Sequence, residues 1–149
     1  MEKKFQFFLL YINIYMSSFE KKLEISISSS IIFLIINSPA TYKLTSKLTN
    51  LNLFDFSSNC RTNLGILTHT LLFFIITFLT MKNSNIDFGI KLKHSIYATL
   101  IFYFISSPSI FSIINNLTNI NNDCISNIGT VIHSIIYCLS LIAIMYLPN

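Results

Sequence analysis

The stretch CRTNLGILTH, Cys60 to His69, decides how this chain is read, because CISNIGTVIH, Cys124 to His133, rewrites it 64 positions later. Cys, Asn, Gly and His return at the same spacing, and Leu64 is answered by Ile128. Working back from Cys60, the correspondence continues with an offset of 69. Lys22-Leu23 matches Lys91-Leu92, Ser26-Ile27 matches Ser95-Ile96, Phe33 matches Phe102, Ser38-Pro39 matches Ser107-Pro108, and Leu48-Thr49-Asn50 matches Leu117-Thr118-Asn119. Between Lys22 and Asn50, 12 of 29 positions are identical. Low complexity produces scattered Ile matches, but not ordered Ser-Pro, Leu-Thr-Asn and Cys-x2-Asn-x-Gly-x3-His landmarks. Internal similarity of this kind points to a duplicated supersecondary unit.

Composition says where such a unit lives. Apolar residues make up 52% of the chain and charged ones 11%, against about 25% charged in a soluble domain. Uncharged runs extend over Ile25–Tyr42, Thr62–Met81, His94–Asn122 and Cys124–Asn149, each near or above the ~20 residues a helix needs to cross a bilayer. The expected fold is therefore all-α: an integral membrane four-helix bundle built from two tandem parallel helical-hairpin repeats (2+2). The expected organisation is an apolar, interfacial segment over 1–20, a first hairpin over 21–81, a connecting loop over 82–90 and a second hairpin over 91–149. Two spans per repeat give both copies the same orientation, related by an axis along the membrane normal.

Each repeat begins with a helix that meets a Ser-Pro near its end. Pro39 and Pro108 lack an N–H and clash with the preceding turn, so the helix must kink or stop there. Thr62 and Ser126 are placed to cap the second helix of each hairpin. Small and hydroxylated residues fall on one face of each helix: Ser26, Ser29, Ser30 and Asn37; Thr62, Gly65 and His69; Ser95, Thr99 and Ser106; Ser126, Gly129, His133 and Ser140. Such seams let helices approach closely in lipid, which marks Gly65 and Gly129 as close-packing positions.

Lys and Arg set the orientation. The N-terminal segment and the loop between repeats carry seven (Lys3, Lys4, Lys21, Lys22, Lys82, Lys91, Lys93), and the two intra-repeat connectors carry three (Lys43, Lys47, Arg61). The positive-inside rule then puts both termini in the cytosol and the cysteine-bearing connectors in the lumen or exterior. The net charge of +4 is explained by these flanks and does not call for nucleic acid.

Cys60 and Cys124 would lie on one side of the membrane and form a candidate disulfide, provided that side is oxidising and the Cα atoms come within about 7 Å; the alternative is two free thiols. Cys138, matched by Phe74, reads as a small core residue. His69 and His133 form a candidate intramembrane polar pair, because ionisable groups in spans are costly and often functional. Two facing imidazoles would suit a haem or a metal, whereas a bond to a neighbouring helix is the simpler role. Asn116-Leu117-Thr118 is a glycosylation sequon, weak in a chain with 15 Asn. No uncharged run contains a carboxylate to orient a catalytic imidazole, no phosphate loop or Cys-x-x-Cys occurs, and neither enzyme nor ion pump has its usual signature. No catalytic, cofactor-binding or metal-binding residue is assigned.

The segments SPATYKLTSKLTN, CRTNLGILTHTLLFFIITFLTM, LIFYFISSP and HSIIYCLSLIAIMYLP together resemble small multi-span membrane proteins encoded by large nucleocytoplasmic DNA viruses of algae and protists. The resemblance covers Lys22 to Pro148 and omits the N-terminal apolar segment. It implies a structural component of a virion's internal membrane, associating with itself or with capsid proteins. The alternatives on the residues alone are a small redox or cofactor carrier using the two histidines, and a minimal, holin-like pore.

Overall fold

The computed structural model describes residues 19–20, 22–80, 88–118, 124 and 126–146; most of the N-terminal segment and residues 82–87 of the expected linker lie outside them. Six helices make up most of the described chain: α1 (Lys22–Ile36), α2 (Pro39–Thr49), α3 (Asn63–Thr80), α4 (Phe88–Ser106), α5 (Pro108–Leu117) and α6 (Asn127–Met145). By length and composition α3 and α6 can each cross a membrane, and up to four spans result if each of the bent pairs α1–α2 and α4–α5 is one span.

Ser-Pro explains the bends. At Ser38-Pro39 the chain leaves helical geometry (Ser38 φ −71°, ψ 147°), proline takes the first helical position, and the Ser38 hydroxyl accepts the Thr41 N–H at 3.2 Å. Ser107-Pro108 does the same, with Ser107 accepting the Ile110 N–H at 3.5 Å. Proline therefore does more than kink a helix: with its serine it restarts one, because a missing N–H costs nothing at a helix start. The bends are 56° and 63°. Helix α4 begins at Phe88, so residues 88–90 of the expected linker are helical; the Phe88 ring meets Phe78 edge-on at 5.7 Å, contact enough to carry the helix back past Lys91.

Between α2 and α3 the chain makes a feature that hydropathy did not suggest. Asn50 closes α2 in the left-handed conformation (φ 54°), and β1 (Phe54–Asp55) then pairs antiparallel with β2 (Cys60–Arg61). Asn59 turns the corner at φ 56°, a conformation that asparagine tolerates better than most side chains.

The helices meet around four aromatic rings, Phe33, Phe73, Phe102 and Tyr137, each fully buried. Phe33 stacks on Tyr137 at 4.7 Å and Phe73 on Phe102 at 4.5 Å, both with interplanar angles of 21°. Phe33–Phe102 and Phe73–Tyr137 meet edge-on at 5.2 and 5.8 Å. Exchanging Phe33 with Phe102 and Phe73 with Tyr137, as the sequence offsets do, maps this set of contacts onto itself. Offset-stacked and edge-on pairs are the geometries that ring quadrupoles favour. The Tyr137 hydroxyl, which Phe73 lacks, donates to Ala98 O at 3.3 Å. Outside lie Leu64, Leu67, Leu71 and Ile75 on α3 and their counterparts Ile128, Val131, Ile135 and Leu139 on α6, all exposed. An apolar exterior around a buried seam of Ser26, Ser29, Thr77, Ser95, Ser106 and Thr130 is the inverse of a water-soluble helix bundle.

Candidate functional site

Each Ser-Pro break leaves backbone acceptors without their helical partners. The Ile35 carbonyl would have bonded to residue 39, which as proline has no N–H; it accepts instead from Ser38 N at 3.4 Å and the Thr41 hydroxyl at 2.6 Å. The Ile36 carbonyl, displaced from residue 40 by the bend, is reached from α3 by His69 Nδ1 at 2.8 Å. In the second half His133 Nδ1, from α6, reaches the corresponding Ile105 carbonyl at 3.2 Å. A carbonyl only accepts, so Nδ1 carries the proton in both rings. The two histidines thus cap broken helices, and Ser-Pro and His recur together because the first exposes the carbonyl that the second satisfies. The sequence carried half of the signal: the proline marks a break that leaves carbonyls to be answered, but not that the bend frees the Ile36 carbonyl for a side chain of another helix.

Each ring also lies on an aromatic face of the restarted helix, His69 on Tyr42 (3.7 Å, 8°) and His133 on Phe111 (4.0 Å, 18°). Beyond this point the two differ. His69 Nε2 meets the Thr45 hydroxyl at 2.8 Å, and a neutral ring protonated at Nδ1 accepts that hydrogen. His133 Nε2 is buried and has no hydrogen-bond partner among the described residues. The rings are joined to their own halves rather than to one another. Both His69 nitrogens are occupied, and no cluster of three or more metal-ligating side chains occurs among the described residues.

Cys60 and Cys124 are linked in the structure, with Cα atoms 5.0 Å apart. The link brings the starts of α3 and α6 to one end of the molecule. There Thr62 accepts the Gly65 N–H at 3.0 Å, and Ser126 the Gly129 N–H at 2.9 Å, as N-caps do. The two glycines are close-packing positions of different kinds. A Cβ on Gly65 would lie 2.0 Å from the Leu53 carbonyl oxygen, so the close neighbour is the backbone of the connector and not another helix. A Cβ on Gly129 would meet the Phe111 ring at 3.2 Å and the Ser126 hydroxyl at 2.9 Å, both side chains. Cys138 is half-buried and unbonded.

Sequence reasoning used Arg61 only as a charge count, yet it is central. Its guanidinium donates to the Asn37 side-chain oxygen and lies 4.6 Å from the centre of the Phe111 ring and 5.7 Å from that of Tyr42. Ser106 adds a second donor to the same Asn37 oxygen at 3.4 Å, so residues of both halves converge on one amide. Burial lowers the Arg61 pKa from its ordinary value, though a guanidinium remains charged. Asp55, the acid of the β-hairpin, is turned away: its carboxylate accepts from Ser57 N and from the Ser57 and Ser58 hydroxyls at 2.6–2.9 Å, which lower its pKa to about 2. Comparison of the chain with protein-family models, curated proteins and solved structures finds no match.

Proposed function

We propose that this chain is a structural multi-pass membrane protein: a four-helix, 2+2 duplicated bundle whose role is to sit in a bilayer and associate with copies of itself or with other proteins. The observation that carries this reading is the filled axis. Four mutually packed aromatic rings occupy the centre, where a pore would need water and a carrier a cofactor. The exchange of equivalent residues across that centre, the paired Ser-Pro restarts and the paired His-to-carbonyl bonds all favour duplication of one hairpin. The linked cysteines favour an oxidising lumen or exterior for the connector end, the same side that the Lys and Arg distribution gives. On the viral resemblance, the membrane is the internal one of a virion, and the partners are capsid proteins.

The redox-carrier alternative is less well supported, because His69 has no nitrogen free to ligate. Alkaline extraction of membranes from expressing cells tests the central reading: the chain should stay in the pellet. In liposomes it should pass neither ions nor small dyes. Release into the supernatant, or conductance at low copy number, would overturn it. Virion placement is tested separately, by finding the chain at structural copy number in detergent-stripped particles.

A further inference from the structure

The end of the bundle at which the cysteines join gathers more hydrogen-bond donors than acceptors. Two donors, Arg61 and Ser106, fix the orientation of the Asn37 amide, and its Nδ2, fully buried, has no acceptor among the described residues. The Tyr42 hydroxyl is equally buried and, although Arg61 interacts with it, finds no acceptor for its own hydrogen among the described residues. Arg61 itself offers five N–H groups, and among the described residues only Asn37 and the Tyr42 hydroxyl engage it. No carboxylate among the described residues faces it, since Asp55 is exposed and engaged with Ser57 and Ser58. A cation held among aromatic rings at the edge of an apolar bundle, with two buried donors beside it that lack an acceptor, has no negative charge against it among the described residues. Water would satisfy the donors and leave the cation unneutralised, which is costly where the dielectric is low.

We propose that Arg61, Asn37 and Tyr42 form a seat for a phosphate-class oxyanion, supplied either by the headgroup of an anionic lipid or by free phosphate. The planar guanidinium fork suits an oxyanion better than a spherical halide, and Arg61 is only half-buried, leaving the seat open toward the connector end. The second half has Ile125 and Phe111 where the first has Arg61 and Tyr42, so the seat belongs to the first half alone.

The test uses the full chain in a neutral detergent, melted across a sodium phosphate series balanced to constant ionic strength with sodium chloride. A parallel arm uses phosphatidylcholine nanodiscs with and without phosphatidylglycerol. The melting temperature should rise saturably, by roughly 5 °C or more at about a hundredfold excess over Kd. A rise with phosphate alone assigns the free anion, and a rise with phosphatidylglycerol alone assigns the headgroup. Tyr42→Phe copies the residue of the other half and should fold; losing one hydrogen bond should raise Kd about tenfold. Asn37→Asp places a carboxylate beside Arg61 from within and should abolish the response without loss of basal stability, while Arg61→Gln abolishes it outright. The proposal fails if the wild type responds in neither arm, or if Tyr42→Phe and Asn37→Asp respond as the wild type does. It also fails if a response emerges only in Asp123→Asn, which would make the chain its own counter-ion; Asp123 lies outside the described residues.

Discussion

His69 and His133 do the same work with different surroundings. Both bond through Nδ1 to a carbonyl at the end of a helix just before a Ser-Pro break, and both lie on an aromatic ring. Among the described residues only His69 has a second partner, Thr45; the matching position in the second half is Ile114. The same contrast separates Arg61 from Ile125 and Tyr42 from Phe111. What the halves share answers backbone groups that each Ser-Pro break leaves orphaned. What they do not share gathers at the connector end of the first half, where polar side chains accumulate without a structural debt that requires them.

The widest effect should come from separating the two regions. The cysteines are 64 residues apart, and chain entropy puts the stabilisation from closing such a loop at up to about 4 kcal/mol, an upper figure for an unfolded state already confined by lipid. Cys60→Ser and Cys124→Ser should each lower the melting temperature by the same amount, with the double variant no worse than either. A double variant that loses twice as much would mean that the thiols act separately. Next in size is the glycine pair. Gly65→Ala drives a Cβ into the Leu53 carbonyl, and rigid overpacking of that kind costs about 3 kcal/mol. Gly129→Ala meets only side chains that can yield, so it should cost about 1 kcal/mol. Equal losses on thermal unfolding would show that the connector gives way as easily as a side chain.

Much of this was legible beforehand, and for definite reasons. Hydropathy announced helices long and apolar enough to cross a membrane, and Ser-Pro announced where helices break, because lipid tolerates few side-chain types and proline has few uses inside a helix. The serine and threonine caps followed from the same rules. The β-hairpin did not, since two-residue strands carry no periodicity, and the turn depends on Asn59 adopting a positive φ. Arg61 was hidden for another reason. Counted as one more basic residue of a connector, its importance emerges only when folding sets it against Tyr42 of α2, Phe111 of α5 and Asn37 in the break between α1 and α2.

The histidines allow a finer comparison. His69→Phe removes bonds to Ile36 and Thr45, whereas His133→Phe removes only that to Ile105. Interhelical hydrogen bonds in membranes are worth about 0.6 kcal/mol on average, and an unsatisfied buried carbonyl adds about 1 kcal/mol more. His69→Phe should therefore be the more damaging by roughly 0.5–1 kcal/mol. Thr45→Val should add little further loss in the His69→Phe background, since the Thr45 hydroxyl has only backbone carbonyls of its own helix to fall back on there. Ile114→Thr should give His133 a partner and stabilise the second half. A destabilised Ile114→Thr would mean that the hydroxyl cannot reach Nε2 as it does in the first half.

The smallest effect separates the halves by acid. Asp55 has a folded-state pKa of about 2, lowered by the Ser57 and Ser58 side-chain hydrogen bonds and the Ser57 backbone N–H. The fold thus favours the charged form. Its contribution is present in full above the ordinary carboxylate range and is lost as pH falls through about 2. Among its described residues the second half has no Asp or Glu, so acid should loosen the β1–β2 hairpin while leaving the start of α6 intact. Because Asp55 is fully exposed, solvent screens most of the effect, and Asp55→Asn should leave the melting temperature at neutral pH nearly unchanged. The readout is local: amide exchange at Ser57 should quicken in Asp55→Asn at neutral pH and in the wild type only near pH 2. Matching acid sensitivity at Gly129 would show that the two ends respond as one unit, and that the contrast between the halves stops at their side chains.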